Sequence, residues 1–481
     1  MAAVGEASEV AALRGPRTEV LETAGKSLIV PGFVDAHLHF VALARRAAEL
    51  DVSVETCATV PDVLERVRGT AAGRPAGTWV LGFGWDESFL RERRAPELAE
   101  LDRVAPSHPV RLLHRTGHAA LLNGAALRAL GSLDHPGLVR DRAGRPTGLL
   151  LEPGEALRGR IPRLDETVLE DLLAAASRRL LAAGVVAFHD PTPGQGPAEL
   201  ERYRRLLTNG RVRQRVRLYG GSGLTSAEDD AVRSSAGPRP GQGASLVSDE
   251  TGRARLRVAG RKVMVPVDPD PETVAAEVFE ADASGWPVAI HAVEGGALVA
   301  ALEALGRLGT FRVKRRRHRI EHASLCPPPL VTRLAESGAT IVTHPDFLFR
   351  FGGRYRAEIP PEQQPWLYPL RSFLDAGASV AFGSDGPIAP PVPLAAIASA
   401  VLRRTGDGEP IAAAGALSPL EALEAHTVAA AAAAGDDGAL RTGAPGDAVV
   451  LGADPAATPP GDIVSIPVQA TIVAGEVAWT A

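Results

Sequence analysis

Four short apolar runs, each closing on a histidine or an aspartate, constrain this chain more than any other feature. Phe33 to His39 reads Phe-Val-Asp-Ala-His-Leu-His, and Pro287 to His291 and His318 to His322 each end in histidine. Val380 to Asp385 ends in aspartate just ahead of Gly386-Pro387. Side chains alternate faces along a strand, so His37 and His39 point one way and Leu38 the other. Two imidazoles on one face, just past an apolar strand, are placed to share a metal ion. Helix-like stretches such as Glu272 to Ser284 and Gly295 to Leu308 separate the runs. Strand, polar tip, helix, strand is the rhythm of parallel β/α units. In a closed β/α barrel the C-terminal strand tips converge on one mouth. His37, His39, His291, His322 and Asp385 can therefore meet at one site. Any one of these histidines has an alternative as a satisfied core residue; a polar tip on all four runs is harder to dismiss.

Composition narrows the class. At 481 residues the chain can hold one large barrel and a smaller module. A formal charge of −5 and the absence of a large basic cluster argue against a nucleic-acid track, and Arg315-Arg316-Arg317 reads as a solvated face. Cys57 and Cys326 are too few for a disulfide framework and suit a reducing cytoplasm. No apolar stretch reaches the ~18 residues of a membrane span, and the N-terminus lacks the basic-then-apolar order of a secretory signal. A cytoplasmic protein is the expectation, with neither nucleic acid nor membrane as partner.

The chain resembles the metal-dependent amidohydrolase superfamily, and within it amidohydrolase family 3, the branch that includes N-substituted formamide deformylases. The resemblance rests on Pro-Gly-Phe-Val-Asp-Ala-His-Leu-His (31–39), Gly-His-Ala-Ala-Leu-Leu-Asn-Gly-Ala-Ala-Leu (117–127), Arg-Ile-Glu-His-Ala-Ser (319–324) and Gly-Ser-Asp-Gly-Pro (383–387). It implies a (β/α)8 TIM-type barrel with one or two divalent metals, zinc being the expected ion, and a water-derived hydroxide that attacks a C–N bond of a small-molecule substrate. By the same resemblance His37, His39 and Asp385 bind the more buried metal and His291 and His322 the second. A carboxylated lysine on the fourth strand bridges them. Lys262, in Arg261-Lys262-Val263-Met264-Val265, is the lysine in strand context there, and burial would favour the neutral amine that carbamate formation needs. Its alternative is a strand lysine snorkelling to solvent. Glu152, in Gly148-Leu-Leu-Leu-Glu152, matches a family Gly-x-Leu-x-Glu pattern and is the rival carboxylate, or else a surface acid before Pro153.

The same resemblance makes residues 77–151 an insertion that follows the first barrel unit and caps the active site. Thr78 to Phe83 and Val110 to Leu113 read as strands and Gly117 to Leu130 as helix. Trp85, Asp86 and His118 would then face substrate, His118 as a hydrogen-bond donor, with a core aromatic as the equal alternative for Trp85. The barrel spans 31–440. Residues 1–30 and 441–481 are expected to form a small β-sandwich, with strands at 444–451 and 471–477. Its N-terminal part is short by two strands against the family pattern, through a reduced sandwich or a start codon assigned too far downstream. An exposed strand edge would seek a partner, which makes a homodimer the candidate assembly. Ser234 to Arg253, rich in Gly, Pro and Ser, reads as a surface loop.

One departure bears on reaction type. Glu294 follows His291 by three residues, similar to the His-x-x-Glu of mononuclear deaminases in the superfamily, whose glutamate shuttles protons to a ring nitrogen. A plain acid at a helix N-terminus is the other reading. Arg350, Arg354 and Tyr355, in a loop after the seventh strand, could meet a substrate carboxylate. His344, where the branch often has glutamine, is placed at the same mouth, with solvent-exposed loop residues as the alternative throughout. The expected mechanism has metal-activated water attacking a carbonyl. Asp385 acts as base and then acid, and the metal with His118 or His322 holds the oxyanion. Hydrolysis of a non-peptide amide or formamide leads. Hydrolytic deamination of a heterocycle through Glu294 is the alternative, and a non-catalytic metal-binding scaffold is the alternative of another class.

Overall fold

The computed structural model describes the whole chain except residues 17, 19, 24, 132, 134, 158, 226–246, 249–252 and 267. The predicted loop at 234–253 therefore lies almost entirely outside the described residues. Contacts divide the chain into two compact units, Met1–Phe40 with Leu173–Ala481, and Val41–Leu172.

Eight parallel strands build the first unit: β1 (Phe33–Asp35), β2 (Val185–Asp190), β3 (Arg215–Gly220), β4 (Ala254–Met264), β5 (Val288–Glu294), β6 (Arg319–Leu325), β7 (Thr340–Thr343) and β8 (Ser379–Phe382). They pair in that order. The ring closes past the ends of β8 and β1. Ala36 N donates to Phe382 O at 3.0 Å, Asp385 N to His37 O at 2.7 Å and His39 N to Gly386 O at 2.8 Å, and Leu38 bridges Gly386 in parallel register. Gly383 permits this approach, because a Cβ there would sit 2.6 Å from the His37 amide nitrogen. The fold is a (β/α)8 barrel of TIM type.

Its strands read as near-continuous apolar runs because both faces are covered; every residue of β2 is buried. Helices start cleanly on proline, as at Pro197, Pro271, Pro328, Pro393 and Pro419, where the missing N–H costs no intrahelical bond. Gly295–Leu308 turns Leu298, Ala301, Leu302 and Leu305 into the core, the spacing of one helical face. Each fully buried leucine contributes roughly 1.5–3 kcal/mol. The barrel interior is less ordinary. Tyr219, Ala259 and Ala289 form a small cluster of their own, and the fully buried Arg319 packs over the Tyr219 ring at 4.4 Å.

Both chain ends contribute to one antiparallel sheet, ordered Leu28–Pro31, Ala448–Leu451, Val468–Val473, Glu476–Thr480. The described residues form a single layer here, where the expectation was a sandwich. No helix among the described residues is long and apolar enough to cross a membrane.

The second unit is wider than the expected insertion at 77–151. Its six-stranded mixed sheet runs Leu50–Asp51, Val80–Trp85, Val110–His114, Ala119–Leu122, Pro146–Leu151, Leu138–Arg140. The expected helix over 117–130 is corrected to a strand followed by a helix at Gly124–Leu130. Asn123 makes the switch: its Oδ1 accepts from Ala126 N at 2.8 Å as helix cap and from Val110 N at 2.9 Å, while Nδ2 donates to Ala105 O and His108 O. Asparagine serves here because one buried amide can satisfy four backbone groups.

Candidate metal centre

The first unit alone assembles the centre. Asp35, the last residue of β1, ties the two closing tips together, accepting from His37 N at 3.2 Å, Ser384 N at 3.0 Å and Ser384 Oγ at 2.6 Å. Burial pushes its carboxyl up to about 6, against the hydrogen bonds from Ser384. On this frame His37 and His39 both turn toward Asp385, whose Oδ1 lies 3.5 Å from His37 Nε2 and 3.2 Å from His39 Nε2. One ligand atom from each of the three falls within 4.8 Å of the others, a spacing that one ion can span.

The far nitrogens of both rings are already engaged. His37 Nδ1 meets Glu321 Oε2 at 2.5 Å. Glu321 is gripped by Arg319, Nε to Oε1 at 2.5 Å and Nη2 to Oε2 at 3.0 Å. Arg319 also donates to Ala36 O at 2.6 Å and meets His189 Nδ1 at 3.0 Å. His39 Nδ1 meets Thr192 Oγ1 at 2.7 Å, and that hydroxyl donates to Asp190 Oδ1 at 2.6 Å. Thr192 can then only accept from His39. Both rings thus carry the proton on Nδ1 and present a bare Nε2, the form a metal ligand requires. Burial would raise the Glu321 carboxyl, but Arg319 and His37 overcome it and hold the group well below the carboxylate range.

A chain of imidazoles continues along the strand tips. His322 Nε2 is 2.9 Å from His291 Nδ1, and His344 Nε2 is 3.0 Å from His322 Nδ1. His322 and Ala323 have φ of 75° and 46°, a twist that turns His322 inward even though Glu321 beside it already points there. Burial lowers the pKa of His37, His322 and His344, most strongly for the first two, so these rings stand neutral and able to coordinate. Lys262 on β4 is buried as well. Among the described residues its Nζ has no hydrogen-bond partner, and burial brings its pKa down to about 8, with Arg319 adding to the shift and Glu321 and Asp385 opposing it. A buried amine without a partner is costly. The imidazole and carboxylate set fits a divalent metal.

Other predicted residues lie elsewhere. Trp85 is corrected to a core aromatic of the second unit: it is buried, donates from Nε1 to Leu112 O at 2.9 Å and packs edge-on against His114. Asp86 accepts from Ser88. His118 and Glu152, expected in separate roles, pair with each other at 3.0 and 3.2 Å and are largely exposed. Glu294 is exposed at the end of β5, heading Gly295–Leu308 without capping it by its side chain. Arg350, Arg354 and Tyr355 stand on a helix, Asp346–Glu358, not a loop. Arg354 Nε binds Glu358 at 2.8 Å, Arg350 binds Asp346 at 2.6 Å, and the Tyr355 and Tyr368 hydroxyls meet at 3.2 Å. His344 is not at a mouth but fully buried among the imidazoles. Glu321, Arg319, Asp190 and Thr192 were absent from the sequence-derived site. The alternation in Arg319-Ile320-Glu321 was the available signal for the first two.

Fold and donor set together define a barrel hydrolase of the metal-dependent kind, and comparison with known proteins agrees. The model of the amidohydrolase family matches residues 24–478. An N-substituted formamide deformylase from Arthrobacter pascens is 30% identical, covering 99% of this chain and 92% of the relative. The putative amidohydrolase YtcJ of Bacillus subtilis (strain 168) is 26% identical over 96% and 91%. The crystal structure of an uncharacterized metal-dependent hydrolase from Pyrococcus horikoshii OT3 superposes with a TM-score of 0.68 at 23% identity, covering 90% of this chain and 88% of that one. The chain belongs to the amidohydrolase family. Its chemistry is metal-dependent hydrolysis of carbon–nitrogen bonds.

Proposed function

We propose that the enzyme hydrolyses a non-peptide amide, with N-substituted formamides as the leading substrate class. The carrying observation is the convergence of His37 Nε2, His39 Nε2 and the Asp385 carboxylate on one point. The similarity to a formamide deformylase over nearly the full length supports the substrate class. Zinc held by His37, His39 and Asp385, with His291 and His322 toward a second ion and a carboxylated Lys262 between them, would supply Lewis acidity and an activated water. Asp385 takes the proton of the attacking water and returns it to the leaving nitrogen. Burial would raise this carboxyl, but the neighbouring His37 and His39 outweigh it, so it starts ionised and able to accept. His322, whose two ring nitrogens face His291 and His344, serves the proposed metal set rather than acting as an oxyanion donor. Glu321 and Thr192 keep the two β1 imidazoles oriented.

A panel of N-substituted formamides, N-acyl amines and amino-heterocycles, assayed before and after chelation, tests this. The expected result is amine release from amide substrates that stops on metal removal and returns on zinc addition. Turnover confined to the heterocycles, with release of ammonia, would replace the reading with deamination, and metal binding without any turnover would favour a scaffold. Glu294→Gln bears on the same choice. Loss of a required proton shuttle costs about 10²–10⁴ in rate, whereas an acid at a helix start contributes only about 0.3–1 kcal/mol through the dipole. With Glu294 exposed on the helix start, kcat should fall less than about tenfold. A drop of three orders with metal retained would reverse the assignment.

A further inference from the structure

We infer that His344 is itself a metal ligand, contributing an imidazole from the tip of β7 beside His37 and His322. The inference rests on the metal-dependent reading above and adds a ligand to it. His37, His322 and His344 are all buried, and each offers a nitrogen within 4.8 Å of the other two.

The proton on His344 can be located from its neighbours. Its Nδ1 lies 2.8 Å from Gly383 O; a carbonyl only accepts, so Nδ1 carries the hydrogen and Nε2 a lone pair. That lone pair faces His322. The arrangement repeats what Glu321 does for His37 and Thr192 for His39: an outer acceptor fixes the ring and its tautomer while the inner nitrogen is left bare. The acceptor is also well chosen. Gly383 is the residue whose missing side chain lets β8 approach the His37 backbone, so one stretch of chain positions His344, His37 and Asp385 together.

The surroundings do not suit a substrate contact. His344 has no exposed surface, and its outer side packs against the Phe347 ring at 5.1 Å. Its inner side meets other ring nitrogens. A neutral imidazole held rigidly with its lone pair among other imidazole nitrogens is a ligand's environment. His37 has a single available nitrogen, because Nδ1 is spent on Glu321. That one nitrogen belongs to two clusters, with His39 and Asp385 in one and with His322 and His344 in the other.

The test compares wild type with His344→Ala and His344→Gln, the second retaining bulk and a donor for Gly383 should the alanine variant fail to fold. Zinc affinity is read by chelator competition, ligation by the visible spectrum of the cobalt-substituted protein and by the imidazole count from X-ray absorption. Expected are a loss of affinity of at least the roughly 10–100-fold that follows disturbance of a ligand's support, altered cobalt bands and one imidazole fewer. Unchanged affinity and spectrum, even with a raised KM, would overturn the inference and leave the metal-dependent reading intact. A wild-type protein that bound no zinc would overturn both.

Discussion

Asp385→Asn is expected to lower kcat by three orders of magnitude or more while the barrel stays folded. Two losses coincide in this substitution. Proton transfer by a positioned group is worth about 10²–10⁴, and a neutral amide oxygen is a weaker ligand than a carboxylate. Asparagine is the informative replacement because Asp385 has φ of +54°, a left-handed conformation that asparagine tolerates far better than alanine. The backbone bond from Asp385 N to His37 O then survives, and any loss reports on the side chain. His37→Ala should abolish turnover by a different route, removing the ring that links the ion to Glu321. Elemental analysis showing full metal occupancy together with wild-type activity in either variant would refute the assignment of the site.

Arg319→Ala should have the largest effect on stability, a loss of about 3–5 kcal/mol. Arg319 and Glu321 are both fully buried, and Glu321 stripped of its partner would be an uncompensated charge in the barrel interior. The pH dependence follows in sign. Glu321 has a folded pKa depressed well below its ordinary value. Its contribution is therefore complete above the unfolded value of about 4.3 and is lost as pH falls toward the folded one. Urea midpoints at pH 7 should show the full gap between wild type and variant, and the gap should narrow in acid below about pH 4. A gap that widens in acid would contradict this account of the pair. Replacing both residues by apolar ones of similar volume should recover much of the stability without restoring metal affinity.

Much of the barrel was legible because its periodicity is local. An apolar run with a polar tip announces a strand end wherever it lies in the chain, and Gly295–Leu308 could be bounded to the residue. The convergence of His37, His39 and Asp385 was legible for the same reason. Arg319 and Glu321 were obscured by parity. Counting His322 as an inward ligand puts Glu321 on the opposite face, and only the positive φ at His322 and Ala323 lets both point inward. His344 was read at a mouth because nothing in Val342-Thr343-His344 shows how deep β7 ends. Trp85 stayed open between a substrate contact and a core aromatic for a related reason: its burial depends on strand pairing with Val110–His114, set by tertiary register rather than by neighbours in sequence.

The clasp between Asp35 and Ser384 joins residues 349 positions apart, and this imposes an order on biosynthesis. Chains emerge from the ribosome at about 5–20 residues per second, so His37 and His39 wait roughly 20–70 s, by that rate, for Asp385 to appear. Val41–Leu172 has hydrophobic clusters of its own and is complete long before then. The nascent protein can thus hold one finished unit while the barrel lacks its closing strand. The proposed metal seat cannot be completed until the segment after β8 has been made, and the candidate centre is among the last parts of the barrel to close.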